Sequence, residues 1–288
     1  HFHIKGSKVK RVVPKDNGAV NETWLSDRDR FSYEALVSDD RLLAPRIKRD
    51  DGWHDCDWDV ALEAVAQRLG ALATNNSGER IAALASPSST TEEFYLLQRL
   101  IRELGGNSVD HRPRQVDFSA DPIAPLVPSL GIALEGLEQA DVIFLIGANP
   151  RLDQPLINHR IRKAALAGAA VVVLNAVDYD FNFPVAQKII VPPSQITAAL
   201  GAIAKFANAD VEIKQNVREG LENFTVASVH EELVGRLLEA NSAVVVTGNF
   251  AQRHGDYGQI SALAELTARA VSANLGQLTD GANSAGGW

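Results

Sequence analysis

The stretch from Asp141 to Asn175 limits the possible folds more than any other. Val142, Ile143, Phe144, Leu145 and Ile146 follow one another without polar alternation, the signature of a strand covered on both faces. Gly147-Ala148-Asn149-Pro150 then turns the chain. Pro155 to Ala167 has helical spacing, Gly168 stops it, and Ala170 to Asn175 is a second apolar strand. Two buried strands joined through one helix must run parallel, as a right-handed βαβ crossover.

The rest of the chain repeats parts of this pattern. Residues 1–47 are polar, with short strands around a turn at Gly6-Ser7, and read as a small β-rich unit. From Asp57, an N-cap candidate, the spacing of Val60, Ala61, Ala64, Val65, Leu69 and Leu72 predicts a helix to about Ala73. Ile81 to Ala85 reads as a short buried strand. Thr90 and Glu93 form a capping box opening a helix that Gly105-Gly106 stops. Residues 107–139 lack periodicity, apart from one helical turn near Ile132 to Glu138. Further on, Ser194 to Ala207 reads as a helix, Ser242 to Gly248 as a strand and Gln259 to Leu275 as a helix closed by Gly276. The expected architecture is α/β: at least four parallel strands in Rossmann-like sheets with flanking helices. The expected division is 1–47, then 48–125 with 240–288 as an incomplete α/β subdomain, then 126–239 as a second one.

Charge and cysteine usage exclude several functions. A formal net charge of −8 argues against a nucleic-acid partner, which needs clustered cations to displace counterions. One cysteine, Cys56, excludes a disulfide framework and a four-thiolate iron–sulfur cluster built from this chain alone. No apolar run reaches the roughly 18 residues of a membrane span, so no direct span is expected. The opening and closing stretches read as those of a fragment.

In an open α/β sheet, ligands bind beyond strand ends where the strand order reverses. Three loops qualify: Pro87-Ser88-Ser89, Gly147-Ala148-Asn149-Pro150 and Thr247-Gly248-Asn249. Glycine lets a ligand approach the backbone and asparagine offers a donor and an acceptor, although a plain tight turn has the same residues. Neither a dinucleotide fingerprint nor a phosphate loop is present. The seven histidines include no pair at i, i+4 and no zinc motif, so no metal site is expected. His159, on the helix after Gly147, either faces the crevice or packs as an ordinary histidine, the commoner case. Cys56 precedes a helix without a convincing base beside it. Asp178 to Phe183 reads as a structural loop.

Together these segments resemble one family. Trp24-Leu25-Ser26-Asp27-Arg28, then Arg41-Leu42 with Pro45, then Trp58-Asp59 with Ala61-Leu62, resemble the opening of molybdopterin oxidoreductases such as formate dehydrogenases and nitrate reductases. Asp141 to Pro150 and Ala169 to Val173 resemble that fold's third domain, and Leu275 to Asn283 its return to the second. Asn21-Glu22 before Trp24, His111-Arg112 with Arg114-Gln115 and Asp117-Phe118, and Asn175 with Val177 to Phe181 are similar to one branch. That branch is the large iron–sulfur subunit of bacterial NADH:quinone oxidoreductase (complex I).

The departures decide what the resemblance implies. Active relatives carry a cluster-binding cysteine where Ser26 stands, and a metal ligand in the loop reading Asp110-His111-Arg112-Pro113-Arg114. They also carry an Asp-Pro-Arg-like, guanine-reading stretch where this chain has Asn175-Ala176-Val177. The resemblance therefore implies a domain without a pterin cofactor, serving a structural role in the peripheral arm at the cytoplasmic face of the inner membrane. Its partners are the other peripheral-arm subunits, and iron–sulfur clusters belong to an N-terminal region of the parent subunit. No catalytic residue and no metal ligand are expected; Gly147, Asn149 and Asn175 are candidates for a vestigial crevice. An active molybdenum oxidoreductase using His111 and a nucleotide-binding remnant are the alternatives.

Overall fold

The computed structural model describes residues 1–74, 78–114, 116–124 and 127–288, so Gln115 and the expected boundary at 125–126 lie outside the described residues. Two compact units result: residues 1–15, 25–113 and 287, and residues 16–24, 114–286 and 288.

The first unit is a set of small sheets. Strands β1 (Phe2–Lys5) and β2 (Lys8–Val12) form an antiparallel hairpin whose turn residues, Gly6 and Ser7, both have positive φ. The short helix α1 (Asp27–Phe31) follows, then a second hairpin of β3 (Arg46–Arg49) and β4 (Gly52–Asp55) that apolar patterning does not signal. Strands β5 (Ala82–Leu84) and β6 (Ser108–Asp110) pair in parallel beside helices α2 (Trp58–Thr74) and α3 (Thr91–Glu103). The capping box forms as expected, with the Thr90 hydroxyl accepting from the Glu93 amide and the Glu93 carboxylate accepting from the Thr90 amide. Burial in this unit falls short of expectation at two elements. Helix α2 buries no residue and leaves Val65 54% exposed, and the strand after it, expected to be buried, leaves Leu84 61% exposed. Periodicity marks the face a helix can bury, and three-residue strands offer too little surface to cover it.

The second unit is a five-stranded, fully parallel sheet of β7 (Val142–Ile146), β8 (Ala170–Asn175), β9 (Gln187–Ile190), β10 (Ala243–Thr247) and β11 (Asn274–Gln277). Its order is β11-β10-β7-β8-β9. Successive residues alternate between two buried faces. Val142, Phe144 and Ile146 pack with Leu200 and Ile203 of α6 (Ile196–Ala207), Leu233 and Leu237 of α8 (Ser228–Glu239), and Ile260 of α10 (Tyr257–Ala270). Between α6 and α8 lies the shorter α7 (Gln215–Glu222). Ile143 and Leu145 pack with Leu137, with Ile161 of α5 (Pro155–Leu166), and with Phe181, Phe183 and Leu278. Both faces are thus covered, and each buried Leu or Ile contributes about 1.5–3 kcal/mol.

The grouping of 240–288 with 48–125 does not survive the pairing. β10 lies beside β7 and β11 beside β10, because an apolar strand's own residues do not name its neighbour. The last long helix ends at Ala270, and Gly276, expected as its stop, lies in β11. A Cβ there would stand 2.0 Å from the Leu130 carbonyl oxygen, so glycine is required by a passing chain and not by a helix end. Strand β9 and helix α7 carry no clear sequence signal, and helix α8 is not among the expected elements although Val229, Leu233, Val234 and Leu237 recur at helical spacing. Among the described residues no helix is long and apolar enough to cross a membrane.

Candidate functional site

The strand order runs from β7 outward in both directions, to β8 and β9 on one side and to β10 and β11 on the other. The reversal therefore lies beyond the C-terminal ends of β7 and β10. Two short helices begin there, α4 (Pro150–Asp153) after Gly147-Ala148-Asn149 and α9 (Asn249–Gln252) after Gly248. The two loops are bonded together. Gly248 N–H donates to Ile146 O at 2.8 Å, and the amides of Phe250 and Ala251 donate to Gly147 O at 3.0 and 3.2 Å. Gly147 has φ +56°, and a Cβ on it would stand 2.5 Å from Ala251 N; one on Gly248 would stand 2.4 Å from Ala148 Cα. Asn175, 1% exposed at the end of β8, completes the arrangement. Its Oδ1 accepts from Ala148 N at 2.9 Å and its Nδ2 donates to Ala148 O at 3.1 Å.

The structure thus brings Gly147, Asn149 and Asn175 together, adds Gly248 and Asn249, and leaves Pro87-Ser88-Ser89 in the first unit, after β5. Around them sits a ring of amides. Gln154 Nε2 donates to Thr279 O at 2.9 Å, and Gln252 donates to Leu278 O and accepts from Gln277 at 3.0 Å. Asp280 takes Arg253 at 2.7 Å and Asn249 Nδ2 at 3.3 Å. Asn149 Oδ1 and Gln154 Oε1 are buried without a partner. Burial raises the Tyr257 phenol's pKa above its ordinary value at the start of α10. Neutral amides and one arginine-paired carboxylate can position a ligand, but they include no nucleophile with a base beside it. Gln154, Gln252 and Asp280 come from three separate stretches of chain, so no local motif announces them.

The remaining candidates have structural surroundings. His111 is 7% exposed, edge-on to the Phe94 ring at 6.0 Å, and a Cβ on Gly287 would stand 2.6 Å from its Cγ. Burial lowers its pKa, which favours neutral imidazole. Both carboxylate oxygens of neighbouring Asp110 bond the Arg112 guanidinium at 3.0 Å. Ser26 caps α1, accepting from the Asp29 amide at 3.2 Å. Cys56 Sγ donates to Pro45 O at 3.6 Å. His159 meets Glu22 Oε2 at 3.3 Å and the Trp24 ring at 5.4 Å. Phe181 and Phe183 stack at 5.3 Å and are buried against the sheet.

Comparison with known proteins identifies this arrangement. Residues 2–34 match the family described as NADH-ubiquinone oxidoreductase NDSU1/NuoG-like, 4Fe-4S domain, although no cysteine lies in that stretch. The chain is 34% identical over 168 residues to the G subunit of NADH-quinone oxidoreductase from Rickettsia bellii, covering 58% of this chain and 24% of that one. It is 32% identical over 184 residues to the mitochondrial NADH-ubiquinone oxidoreductase 78 kDa subunit of Candida albicans, covering 62% and 24%. The chain therefore spans about a quarter of the length of these curated relatives. Among solved structures, acetylene hydratase from Pelobacter acetylenicus superposes with a TM-score of 0.54 at 16% identity, over all of this chain and 40% of that one. The formyltransferase/hydrolase complex of Methylorubrum extorquens gives 0.55 at 20% identity, over 82% and 61%. The family described as molybdopterin oxidoreductase matches residues 41–281, over the whole doubly wound sheet and its reversal point, and the chain belongs to that family.

Proposed function

We propose that this chain is a structural domain of the large iron–sulfur subunit of an NADH:quinone oxidoreductase, a molybdopterin-family fold that binds no pterin of its own. It would stand among the other peripheral-arm subunits on the cytoplasmic side, with the electron-carrying clusters elsewhere in the parent subunit. The observation that carries this reading is a crevice bonded to itself: the Gly147 and Gly248 loops abut through backbone, and both ends of the Asn175 amide hold Ala148. These residues fit a pterin nucleotide poorly, because the Ala148, Gly248, Phe250 and Ala251 amides at the strand ends already have partners in Asn175, Ile146 and Gly147. The loop with His111 supports the same reading, since it offers no thiol and its imidazole is packed away. Among the described residues, no three His, Cys, Asp or Glu side chains are grouped to hold a metal.

One observation favours a second reading, a nucleotide-binding remnant: the buried, unpartnered Asn149 Oδ1 and Gln154 Oε1 would accept from a ligand's N–H groups. Elemental analysis of the purified chain for molybdenum, tungsten and iron, with acid extraction of pterin and guanine nucleotide, separates the readings. The structural reading expects none of these. Extracted nucleotide without metal supports the remnant, and stoichiometric metal with pterin overturns both.

A further inference from the structure

Nine residues, Asp16 to Trp24, pack with the second unit, although the chain on both sides of them belongs to the first. They form a tight turn in which Asn17 O accepts from the amides of Val20, Asn21 and Glu22 at 3.1, 2.9 and 2.7 Å. That turn holds Glu22 at φ +52°, a left-handed conformation uncommon for a residue with a side chain. The glutamate reaches helix α5, where its Oε1 meets Arg160 at 2.8 Å and Lys163 Nζ at 2.5 Å, and its Oε2 meets His159 at 3.3 Å. Arg160, 4% exposed, also donates to Gly18 O at 2.6 Å and to Glu138, and Lys163 bonds Glu138 at 2.8 Å. Two carboxylates thus balance one arginine and one lysine, and the buried guanidinium has its full set of partners only while the segment is in place. Trp24 against His159 closes the far end.

We infer that residues 16–24 are an ion-locked clip, a short part of the iron–sulfur-type segment that the cationic face of α5 holds within the second unit. The segment matching the 4Fe-4S family runs over residues 2–34, so the clip lies inside it, while α5 lies inside the molybdopterin-family match. The inference deepens the structural reading above and rests on it, by naming what the domain holds. The test is hydrogen exchange by mass spectrometry on the full chain and on the intact parent protein, comparing wild type with Glu22→Gln and Lys163→Gln. Exchange across residues 16–24 should rise at least tenfold in Glu22→Gln and by a smaller factor in Lys163→Gln, with α5 and β7 unchanged. Wild-type exchange in both variants overturns the clip. So does a rise shared equally by α5, which would make the carboxylate a support of the helix alone. Pterin content measured on the same preparations reports on the structural reading independently, so either claim can fail without the other.

Discussion

Single side chains here act mainly by satisfying buried backbone or buried charge. Asn175 bonds both polar groups of Ala148, so Asn175→Ala leaves a buried N–H and a buried C=O without partners. A loss of about 2–4 kcal/mol is expected, read from the shift in urea midpoint at unchanged m. Glu22 is held at a pKa of about 2, against an ordinary 4.5, by the Lys163 ammonium first and His159 second. A carboxylate whose pKa is depressed on folding stabilises the native state in full above its unfolded pKa, and the contribution disappears as pH falls through the folded one. Protection of residues 16–24 should therefore be intact at about pH 5 and fade only between about 4.5 and 2, as an acid titration followed by hydrogen exchange would show. Glycine and asparagine at the strand ends were legible, since those residue types suit a strand end whatever its role. The Glu22–Arg160 pairing was not, because the partners lie 138 residues apart and nothing local to either names the other.

At the level of elements, the features set by strong local signals could be read, whereas those set by neighbours, and the β3–β4 hairpin with its polar strands, could not. The Thr90–Glu93 box, the glycine stop after α5 and the two apolar strands flanking that helix all form where the residues placed them. Thr90→Ala should cost about 1 kcal/mol and speed exchange of the Glu93 amide roughly fivefold, with later turns of α3 less affected. The expected helix from Gln259 to Leu275 divides at Ala270 because the remaining residues meet β10 as a strand, a choice made by the neighbouring element. Strand β9 is short, carries Gln187 and Lys188, and lies at a sheet edge, where a polar pattern is tolerated and apolar patterning finds little to detect.

The whole molecule divides its stability unevenly. In the first unit Val12, Ile81 and Ile101 are the buried apolar side chains among the described residues, whereas the second unit holds two continuous clusters, one on each face of its sheet. Amides of α2 and of the β5–β6 pair should accordingly exchange well before those of β7 and β8 in a time course on the full chain. The bonding of the Gly147 and Gly248 loops has a consequence for how the larger unit comes apart. A doubly wound sheet is two halves sharing one seam, here the β7–β10 pairing, and a seam alone can open like a book along its spine. With the Gly147 carbonyl held by Phe250 and Ala251, and Gly248 held by Ile146, the halves cannot part without tearing both loops at once. No half-open intermediate should accumulate. Calorimetric and van't Hoff enthalpies for the transition of this unit should coincide, and a van't Hoff value near half the calorimetric one would show the halves melting apart.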